Sequence, residues 1–294
     1  MRFGVVLMPS DPVAETIAAA RRLSDLGYDH LWLYDHLTWR HYRDRPWHGI
    51  YPMLAALAVA TERIRLGTMV ANPNIRHPYV LAKDAMTIDH LAEGRLTIGV
   101  GAGGLGFDAT VFGAAELSPR ERIDRLEEFV GCLDGLLRGE LQNHQGQWYT
   151  IDEARMLPGC VQQPRLPLAV AAGGPRGLRL AAATADAWIT NGSPTAPDSQ
   201  PATTHRIISE QVARLDDAAA ALGRDPSTID RIVMIDSDDG RPLRSVEAFR
   251  DYVGRYGELG FTDLVFHHPR PDDPKWNDPV EMIDEIAEVF LSPA

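Results

Sequence analysis

The chain has 294 residues, of which 45% are hydrophobic, so it can form one large domain or two small ones. Its 41 acidic and 29 basic side chains give a formal net charge of −12, which argues against nucleic acid or an anionic membrane as the main partner. The two cysteines, Cys132 and Cys160, are too few for a disulfide framework or a zinc cluster. These totals fit a protein of the reducing cytoplasm.

The sequence carries no segment that predicts export or membrane insertion. The N-terminal apolar run, Phe3–Met8, is too short for the hydrophobic region of a signal peptide. No other run approaches the ~20 apolar residues that a transmembrane helix needs. We therefore expect a cytoplasmic protein without a membrane partner.

Apolar runs alternate with amphipathic segments along the chain and predict eight strands, each followed by a helix. Short apolar runs favour buried strands, and apolar residues spaced three and four apart favour helices. The predicted strands are Phe3–Met8, Leu31–Tyr34, Ile64–Ala71, Leu96–Val100, Leu168–Ala172, Ala187–Thr190, Ile229–Ile235 and Asp263–His267. The predicted helices are one opened by Pro12 and closed by Gly27, then Tyr51–Ala60, His77–Leu91, Pro119–Arg138, Pro175–Ala183, His205–Leu222, Val246–Leu259 and Val280–Leu291.

This alternation implies a parallel sheet, because each parallel crossover needs a helix. Eight repeats in this length favour a single (β/α)8 barrel domain over residues 1–294, although a doubly wound sheet can also alternate. Two segments exceed ordinary loops, Gly139–Pro167 and Asn191–Thr204. Long loops in a barrel are often active-site lids, so we treat both as insertions.

In a barrel the functional side chains follow the strands, at the carboxyl ends. That rule selects a short set of candidates for binding and catalysis. The set is Asp35 and His36, Asn72 and Asn74, Gly101–Gly106, Gly173–Arg176, Thr190 and Asn191, and His267 and His268.

The stretch GAGGLG at Gly101–Gly106 matches G-x-G-x-x-G, but it does not predict a dinucleotide fold. It lies in the fourth unit, no obvious helix follows at Phe107–Phe112, and a lone match is weak. We interpret Gly101 and Gly103 as part of a flat backbone wall under a planar ring.

The stretch GGPRG at 173–177 follows the fifth predicted strand and opens a helix. Proline suits the first helical turn, and glycines let backbone N–H groups approach an anion at the positive end of the helix. Arg176 would add further donors. A plain turn with left-handed glycines explains the same letters, and the residues alone do not decide between the two.

Histidines and aromatic residues add further candidates. His36 can exchange a proton near neutral pH, or serve as a structural residue at a strand end. His30, His36, His41 and His48 cluster in sequence without the spacing of a metal motif. His267 and His268 suit a substrate pocket. Trp39, Tyr42 and Trp47 suit either a loop over a flat ligand or ordinary packing.

The sequence also resembles the bacterial luciferase-like monooxygenase superfamily, and within it the oxidoreductases that depend on the deazaflavin coenzyme F420. The resemblance rests on GYDHLWLYDH at 27–36, the block from Thr61 to Gly103 that contains RHPYVLAK, and FG at 112–113. It continues through SPRERIDRLEEFVGCLDGLL, GQWYTI and PRLPLAVAAGGPRGLRLAAATADAWI, ending at Ile189. After Asn191 only the general architecture is similar.

The resemblance implies a (β/α)8 barrel, often dimeric, with the cofactor ring across the carboxyl ends of the strands. It implies that Gly173, Gly174 and Arg176 hold the cofactor phosphate, with Asn191 nearby. It places a non-prolyl cis peptide behind the ring, matching Met69 and Val70 here. Asp35 and His36 match an Asp-His pair beside the reactive carbon, which makes both of them catalytic candidates.

The chain departs from the deazaflavin-dependent sugar-phosphate dehydrogenases at one position. Those enzymes have a glutamate after the fourth-strand glycines, where this chain has Gly104. A sugar phosphate is therefore put in doubt as substrate. Asp108 supplies an acid four residues later, and we group it with Trp39, His267 and His268 as substrate-binding candidates.

These observations predict an oxidoreductase that moves a hydride between F420 and a small organic substrate. The alternative is an FMN-dependent monooxygenase that uses oxygen and takes reduced FMN from a partner reductase. A third hypothesis is a flavin-binding barrel without turnover. We expect a homodimer and no bound metal.

Overall fold

A computed structural model describes residues 1–39, 42–192, 201–235 and 241–291, with the side chains of 201 and 202 excepted. His41 of the sequence cluster and most of the predicted loop 191–204 lie outside these residues. The predicted (β/α)8 barrel is confirmed, because eight parallel strands close into one barrel with helices between them.

Ten strands occur in the described residues, and eight of them form the barrel. Around the barrel the order is β1, β2, β3, β4, β7, β8, β9 and β10, and β10 pairs with β1 to close it. The remaining two, β5 and β6, form an antiparallel hairpin in the insertion after the fourth barrel strand. The strands are β1 Arg2–Leu7, β2 His30–Leu33, β3 Arg65–Ala71, β4 Leu96–Val100, β5 His144–Gln145, β6 Thr150–Ile151, β7 Leu168–Ala171, β8 Ala187–Thr190, β9 Asp230–Met234 and β10 Asp263–His267.

The helices surround the barrel. None of the described helices is long and apolar enough to cross a membrane. They are α1 Val13–Asp25, α2 Ile50–Ala60, α3 Pro78–Leu91, α4 Phe107–Thr110, α5 Pro119–Leu137, α6 Pro175–Thr184, α7 Pro201–Ala221, α8 Val246–Glu258 and α9 Met282–Phe290.

Two predictions about these segments were wrong. The expectation of no helix after GAGGLG fails, because Phe107–Thr110 forms the one-turn helix α4. The loop predicted to run to Thr204 ends earlier, because α7 begins at Pro201, and proline is well suited to a first helical turn. The other predicted segments agree with the structure to within one or two residues at their ends.

The core has two layers, which explains why the strands are apolar on both faces. The outer layer packs the strands against the helices. The inner layer fills the barrel and includes the bulky side chain of Trp32. A Cβ on Gly67 would lie 2.3 Å from the Trp32 ring, so glycine on β3 makes room for tryptophan on β2. The interior that the described residues form is thus packed, and cavities open at the ends of the barrel strands.

Candidate active site

Two adjacent cavities open at the carboxyl ends of the barrel strands. The first, here called the apolar cavity, has a volume of about 260 Å³. It is lined by Tyr34, Met69, Val70, Ala171, Ala172, Gly173, Ile189, Thr190, Asn191, Gly192 and Met234. The second, here called the histidine cavity, has a volume of about 420 Å³. It is lined by His36, Thr38, Trp39, Arg43, Asn72 and Gly104–Asp108.

A bulge in β3 forms one wall of the apolar cavity. The predicted cis peptide between Met69 and Val70 is confirmed, and the register of β3 against β4 shifts between Thr68 and Ala71. The Val70 side chain crosses the neighbouring strand closely, since a Cβ on Gly101 would lie 2.7 Å from Val70 Cγ2. Glycine at 101 therefore makes room for the Val70 side chain of the bulge.

Asparagines after β3 fix the backbone after β4. Gly103 has φ +76°, and a Cβ there would lie 2.6 Å from Asn72 Oδ1 and 2.9 Å from Asn74 Nδ2. Asn74 Nδ2 donates a hydrogen bond of 3.1 Å to the Gly104 carbonyl. The backbone of the glycine-rich segment thus lies close to the side chains of Asn72 and Asn74, as expected for a backbone wall.

The turn between β7 and α6 carries the glycines of GGPRG. Neither Gly173 nor Gly174 has a left-handed φ, so the alternative of a plain left-handed turn is wrong. Gly174 is the N-cap of α6 with φ −94°, and Pro175 is the first helical residue. The first N–H groups of a helix have no intrahelical acceptor, and they carry partial positive charge. A Cβ on Gly174 would meet nothing within 4 Å, so this helix start faces open space.

Arg176 lies on the side of α6 that packs against α5. Its guanidinium pairs with Asp124 at 2.6 Å and with Glu127 at 2.5 Å. The hydrogen bond with Glu127 raises the pKa of Arg176 most, and the hydrogen bond with Asp124 raises it further. Two carboxylates thus already balance its charge. A role in phosphate binding stays a prediction for this residue.

A buried glutamine on α7 connects the ends of β7 and β8. Gln211 accepts a hydrogen bond of 2.6 Å from the Thr190 hydroxyl and donates one of 3.0 Å to the Gly192 carbonyl. A Cβ on Gly173 would lie 2.9 Å from Gln211 Nε2. Gln211 therefore positions both turns that frame the apolar cavity. Asn191 lies in the turn after β8, between Thr190 and Gly192, and lines that cavity.

His36 and Asp108 form a hydrogen-bonded pair in the histidine cavity. His36 Nδ1 donates to Asp108 Oδ2 at 2.5 Å, and the Leu37 N–H donates to the other carboxylate oxygen at 3.2 Å. Asn72 Nδ2 donates to Oδ2 at 3.4 Å. The Asp108 side chain is 8% exposed, whereas that of His36 is 27% exposed. A histidine held at Nδ1 by a carboxylate can accept or donate a proton at Nε2.

Asp35 lies next to His36 in sequence but outside both cavities. Its carboxylate is fully buried and pairs with the Arg76 guanidinium, with Nη2 to Oδ1 at 2.6 Å and Nε to Oδ2 at 2.9 Å. The Tyr51 hydroxyl donates to Oδ2 at 3.4 Å, and the Arg76 guanidinium lies 4.5 Å above the Tyr51 ring. This geometry gives Asp35 a role in holding the loop after β3.

Aromatic side chains separate the two cavities. Trp39 stacks on His36 at 5.6 Å on one side and on Trp276 at 5.7 Å on the other. Trp276 in turn stacks on His267 at 4.4 Å. Tyr34 lines the apolar cavity, and a hydrogen bond of 2.6 Å joins its hydroxyl to His267 Nε2. His267 and Trp39 thus belong to one aromatic cluster beside His36.

His268 does not reach this cluster. It lines a separate cavity of about 460 Å³ between the segments after β1 and β10, together with Asp11 and Arg270. Its Nδ1 lies 3.0 Å from the Pro269 carbonyl, and burial lowers the pKa of its imidazole. The structure brings His36, Asp108, Trp39 and His267 together, and it leaves His268 in another place.

The site contains residues that the sequence reasoning missed. Arg76, Gln211 and Trp276 position other side chains, and Tyr34 and Met234 line the apolar cavity. Gln211 had a readable signal, because it shares the helical face of Ile208, Val212 and Leu215. Trp276 had none, since it lies in a segment without regular structure whose position depends on the closed barrel.

Comparison with known proteins shows the family of this chain. The family model described as luciferase-like monooxygenase matches residues 1–259. The chain therefore belongs to the luciferase-like monooxygenase family.

Sequence relatives include an F420-dependent glucose-6-phosphate dehydrogenase of Beutenbergia cavernae, 31% identical over 90% of this chain and 89% of that one. A 5,10-methylenetetrahydromethanopterin reductase of Methanolobus tindarius is 28% identical over 78% of this chain and 63% of that one.

Among solved structures, an F420-dependent secondary alcohol dehydrogenase has a TM-score of 0.79 at 19% identity, covering 99% of this chain and 98% of that one. The oxygenating constituent of 3,6-diketocamphane monooxygenase of Pseudomonas putida, in complex with FMN, has a TM-score of 0.69 at 17% identity and covers 100% and 99%. At these identities the similarity to the two structures shows a shared fold alone.

Proposed function

We propose that this protein transfers a hydride between F420 and a small organic substrate, with His36 exchanging the accompanying proton. The observation that carries this proposal is the His36–Asp108 pair, whose imidazole faces a cavity directly beside the apolar one. The sequence relatives named for F420 support the choice of cofactor. A histidine–carboxylate pair of this kind suits proton transfer, for which histidine is the most frequent side chain.

The residues present fit a planar cofactor with an anionic side chain. The wall formed by Met69 and Val70 suits one face of a ring, and the other lining of the apolar cavity is largely aliphatic. The N-terminus of α6 suits a phosphate, because its N-cap Gly174 is exposed and makes no side-chain cap hydrogen bond. We assign the ring to the apolar cavity and the phosphate to Gly174 and the start of α6.

When bound, the deazaflavin supplies the hydride chemistry. The residues of the chain then have separate tasks. Asp108 holds His36 at Nδ1, so that Nε2 carries the proton that the substrate oxygen gains or loses. Trp39 limits the rotation of the imidazole by stacking on it. Arg76 and Asp35 hold the loop after β3 that carries Asn72.

The substrate side of the proposal differs from the dehydrogenase relative. Gly104 has no carboxylate, and a Cβ there would meet nothing within 4 Å. Space is therefore open where the sugar-phosphate enzymes carry a glutamate. Asp108 provides the acid of this cavity instead, and we propose a small alcohol or carbonyl substrate in place of a sugar phosphate.

The FMN-dependent monooxygenase remains the second candidate, because the apolar cavity accepts either ring and an FMN-bound relative shares the fold. A spectroscopic titration of the purified protein with F420 and with FMN separates the two. We expect saturable binding of F420 at lower concentration than FMN. Tighter binding of FMN, with oxygen uptake when reduced FMN is supplied, would favour the monooxygenase and would overturn the F420 proposal.

We also propose a homodimer. Exposed apolar side chains lie on α2, α3 and the insertion, namely Val59 at 69%, Val80 at 57% and Leu157 at 73% exposure. Lys83 on α3 donates to the carbonyls of Arg155 and Leu157, so α3 and the insertion are neighbours. Sedimentation equilibrium tests this proposal. We expect the mass of a dimer for the native protein and a lower mass for a Val80→Asp variant. The mass of a monomer for both proteins would contradict the proposal.

A further inference from the structure

A third cavity near the barrel mouth has a positively charged wall. It has a volume of about 310 Å³ and lies between α5, the loops after β3 and β4, and the turn of the β5–β6 hairpin. Its polar lining comes from Arg122 and Arg125 on α5, Trp148 and Tyr149 in the hairpin turn, and Asn74. None of the residues that line it is acidic, although the chain has a net charge of −12.

Four buried donors in this cavity have no acceptor among the described residues. They are Arg122 Nε, Arg125 Nε, Trp148 Nε1 and the Tyr149 hydroxyl, and each of these atoms is shielded from solvent. Buried polar atoms in native proteins almost always have a hydrogen-bond partner. Four unsatisfied donors around one cavity therefore indicate a missing acceptor, and an acceptor that suits two guanidinium groups is an anion.

The two arginines are also unusual in their charge environment. They lie three residues apart on one face of α5, and neither forms an ion pair with a described residue. Burial lowers the pKa of Arg125, and the neighbouring Arg122 lowers it further. Burial raises the pKa of Tyr149, which keeps its hydroxyl protonated as a donor. Two cations held together without a carboxylate repel each other until an anion joins them.

Hydrogen bonds hold the walls of the cavity in place. Glu128 accepts from the backbone N–H groups of Trp148 and Tyr149, at 3.1 and 2.8 Å. Arg122 Nη1 donates to the Gly103 carbonyl at 2.9 Å, and Arg125 Nη2 donates to Asn74 Oδ1. Each guanidinium is thus held by one of its nitrogens, and both arginines line the cavity. A site that is fixed before its ligand arrives loses little entropy when it binds.

We propose that this cavity is an anion-binding site that takes a phosphate or carboxylate group. It is separate from the α6 N-terminus, because the face of α5 toward α6 carries Asp124 and Glu127, which pair with Arg176. It adjoins the histidine cavity, because Gly104 lines both. An anionic group bound here would lie beside the proposed reaction space.

The first test measures binding of inorganic phosphate and of succinate by calorimetry and by thermal unfolding, against sodium chloride of equal ionic strength. We expect saturable binding and a saturable rise in Tm. Arg125→Gln should weaken phosphate binding roughly 10- to 100-fold, since a charge-assisted hydrogen bond and a unit charge are lost. Arg120→Gln is the matched control, because Arg120 is an exposed arginine on the same helix, and its affinity should equal that of the native protein.

Tyr149→Phe keeps the test valid if Arg125→Gln disturbs the fold. The Tyr149 hydroxyl has no partner in the described residues, so its removal should leave Tm in chloride unchanged or higher. The affinity for phosphate should fall roughly tenfold in the same variant. A purely structural role for Tyr149 predicts the opposite pattern, a lower Tm in chloride with phosphate binding intact.

Two further measurements identify where the anion binds and which molecule carries it. Gly174→Asp closes the α6 N-terminus to anions, and phosphate binding at the arginines should survive in that variant. Provided that the proposed function holds, F420 with and without its glutamyl tail separates the sources of the anion. If the glutamyl tail raises the affinity for F420 and Arg125→Gln abolishes this gain, the site belongs to the cofactor. If F420 and phosphate instead bind at the same time without competing, the site belongs to a separate ligand.

Two results would overturn the proposal. One is the absence of any saturable effect of phosphate or succinate beyond that of chloride. The other is equal phosphate affinity in the native protein, Arg125→Gln and Tyr149→Phe. Neither readout needs F420, so failure of the anion site and failure of the proposed oxidoreductase function remain distinguishable.

Discussion

Two aspartates contact the loops around His36, and they act in different ways. Asp108 accepts a hydrogen bond from the imidazole at the edge of a cavity, whereas Asp35 is fully buried against Arg76. At the residue scale, position relative to solvent decides the role. A partly exposed pair can exchange a proton with a ligand, and a buried ion pair can only hold its surroundings together.

Replacement of His36 tests the proton transfer. We expect His36→Ala to lower turnover roughly 10²- to 10⁴-fold with little change in cofactor affinity, the range for loss of a general acid or base. Steady-state kinetics and cofactor titration on the same variant measure both quantities. His268→Ala is the comparison, because His268 lines another cavity. Equal turnover of the two variants would remove His36 from the mechanism.

A second pair of variants separates the two aspartates. Asp108→Asn should lower turnover, because the imidazole loses its orienting carboxylate, with a small effect on Tm. Asp35→Asn should lower the free energy of unfolding by roughly 3–5 kcal/mol, since it leaves the Arg76 cation buried without its partner. Chemical denaturation and kinetics of both variants decide this. A stable Asp35→Asn with lost turnover would restore the catalytic role that the sequence predicts for Asp35.

The sequence predicted His36 but not its partner, and the reason is physical. His36 follows a strand directly, so its place at the carboxyl end of the barrel follows from local periodicity. Asp108 lies 72 residues away, and the contact exists only in the closed barrel. The separation of His267 from His268 was readable, because successive side chains at a strand end point to opposite faces.

At the scale of elements, the functional turns are held by neighbouring helices. Gln211 on α7 fixes the turns after β7 and β8, and Glu128 on α5 fixes the hairpin turn. The turns therefore do not depend on their own sequence alone. This explains why GGPRG could not be interpreted uniquely before the structure: its backbone conformation is set by contacts with other elements.

The start of α6 gives a prediction of cofactor affinity. Gly174→Asp should weaken binding of F420 strongly, because a carboxylate would face the cofactor phosphate at the helix N-terminus. The protein should remain folded, since a Cβ at 174 meets nothing within 4 Å. Gly254→Asp on α8 adds the same charge to another glycine without close neighbours. Equal affinities for F420 in the two variants would place the phosphate elsewhere.

The hairpin gives a prediction of local stability. Burial raises the pKa of the Glu128 carboxyl. Hydrogen bonds from the backbone N–H of Tyr149, from the His144 ring and from the adjacent backbone N–H groups outweigh this effect and lower the pKa. Glu128→Gln places an amide NH2 against these donors and should cost roughly 1–3 kcal/mol. Limited proteolysis within 139–167 should become faster than in the control Glu140→Gln. Unchanged cleavage would show that the hairpin is held by other contacts.

At the scale of the whole molecule, a polar group closes the barrel at the amino ends of the strands. Asp263 on β10 accepts hydrogen bonds from Arg2 on β1 and from His30 on β2. Burial alone would raise the pKa of Asp263, but the hydrogen bonds from His30 and Arg2 lower it to about 2. The barrel count was predictable from the alternation of apolar runs, whereas this group was not, because its members come from both ends of the chain.

The lowered pKa predicts acid sensitivity. A carboxyl whose pKa is lower in the folded state than in the unfolded one stabilises the fold above about pH 4, and this contribution is lost as the pH falls toward 2. The loss should be roughly 2 kcal/mol between pH 5 and pH 2. Urea unfolding across that range should show it in the native protein. Asp263→Asn should be less stable at pH 5 and should lack this part of the pH dependence, and parallel curves would contradict the assignment.

The pairing of β1 with β10 has a consequence during protein synthesis. Arg2 and Asp263 are 261 positions apart, so the edge of β1 that pairs with β10 stays unpaired until β10 has been synthesised. Until then the nascent protein holds an open sheet whose two outer strands have unpaired backbone groups, and such edges attract other chains. The barrel therefore cannot close on the ribosome before β10 has been synthesised, and the interval before closure is when chaperones would be needed to keep the chain from aggregating.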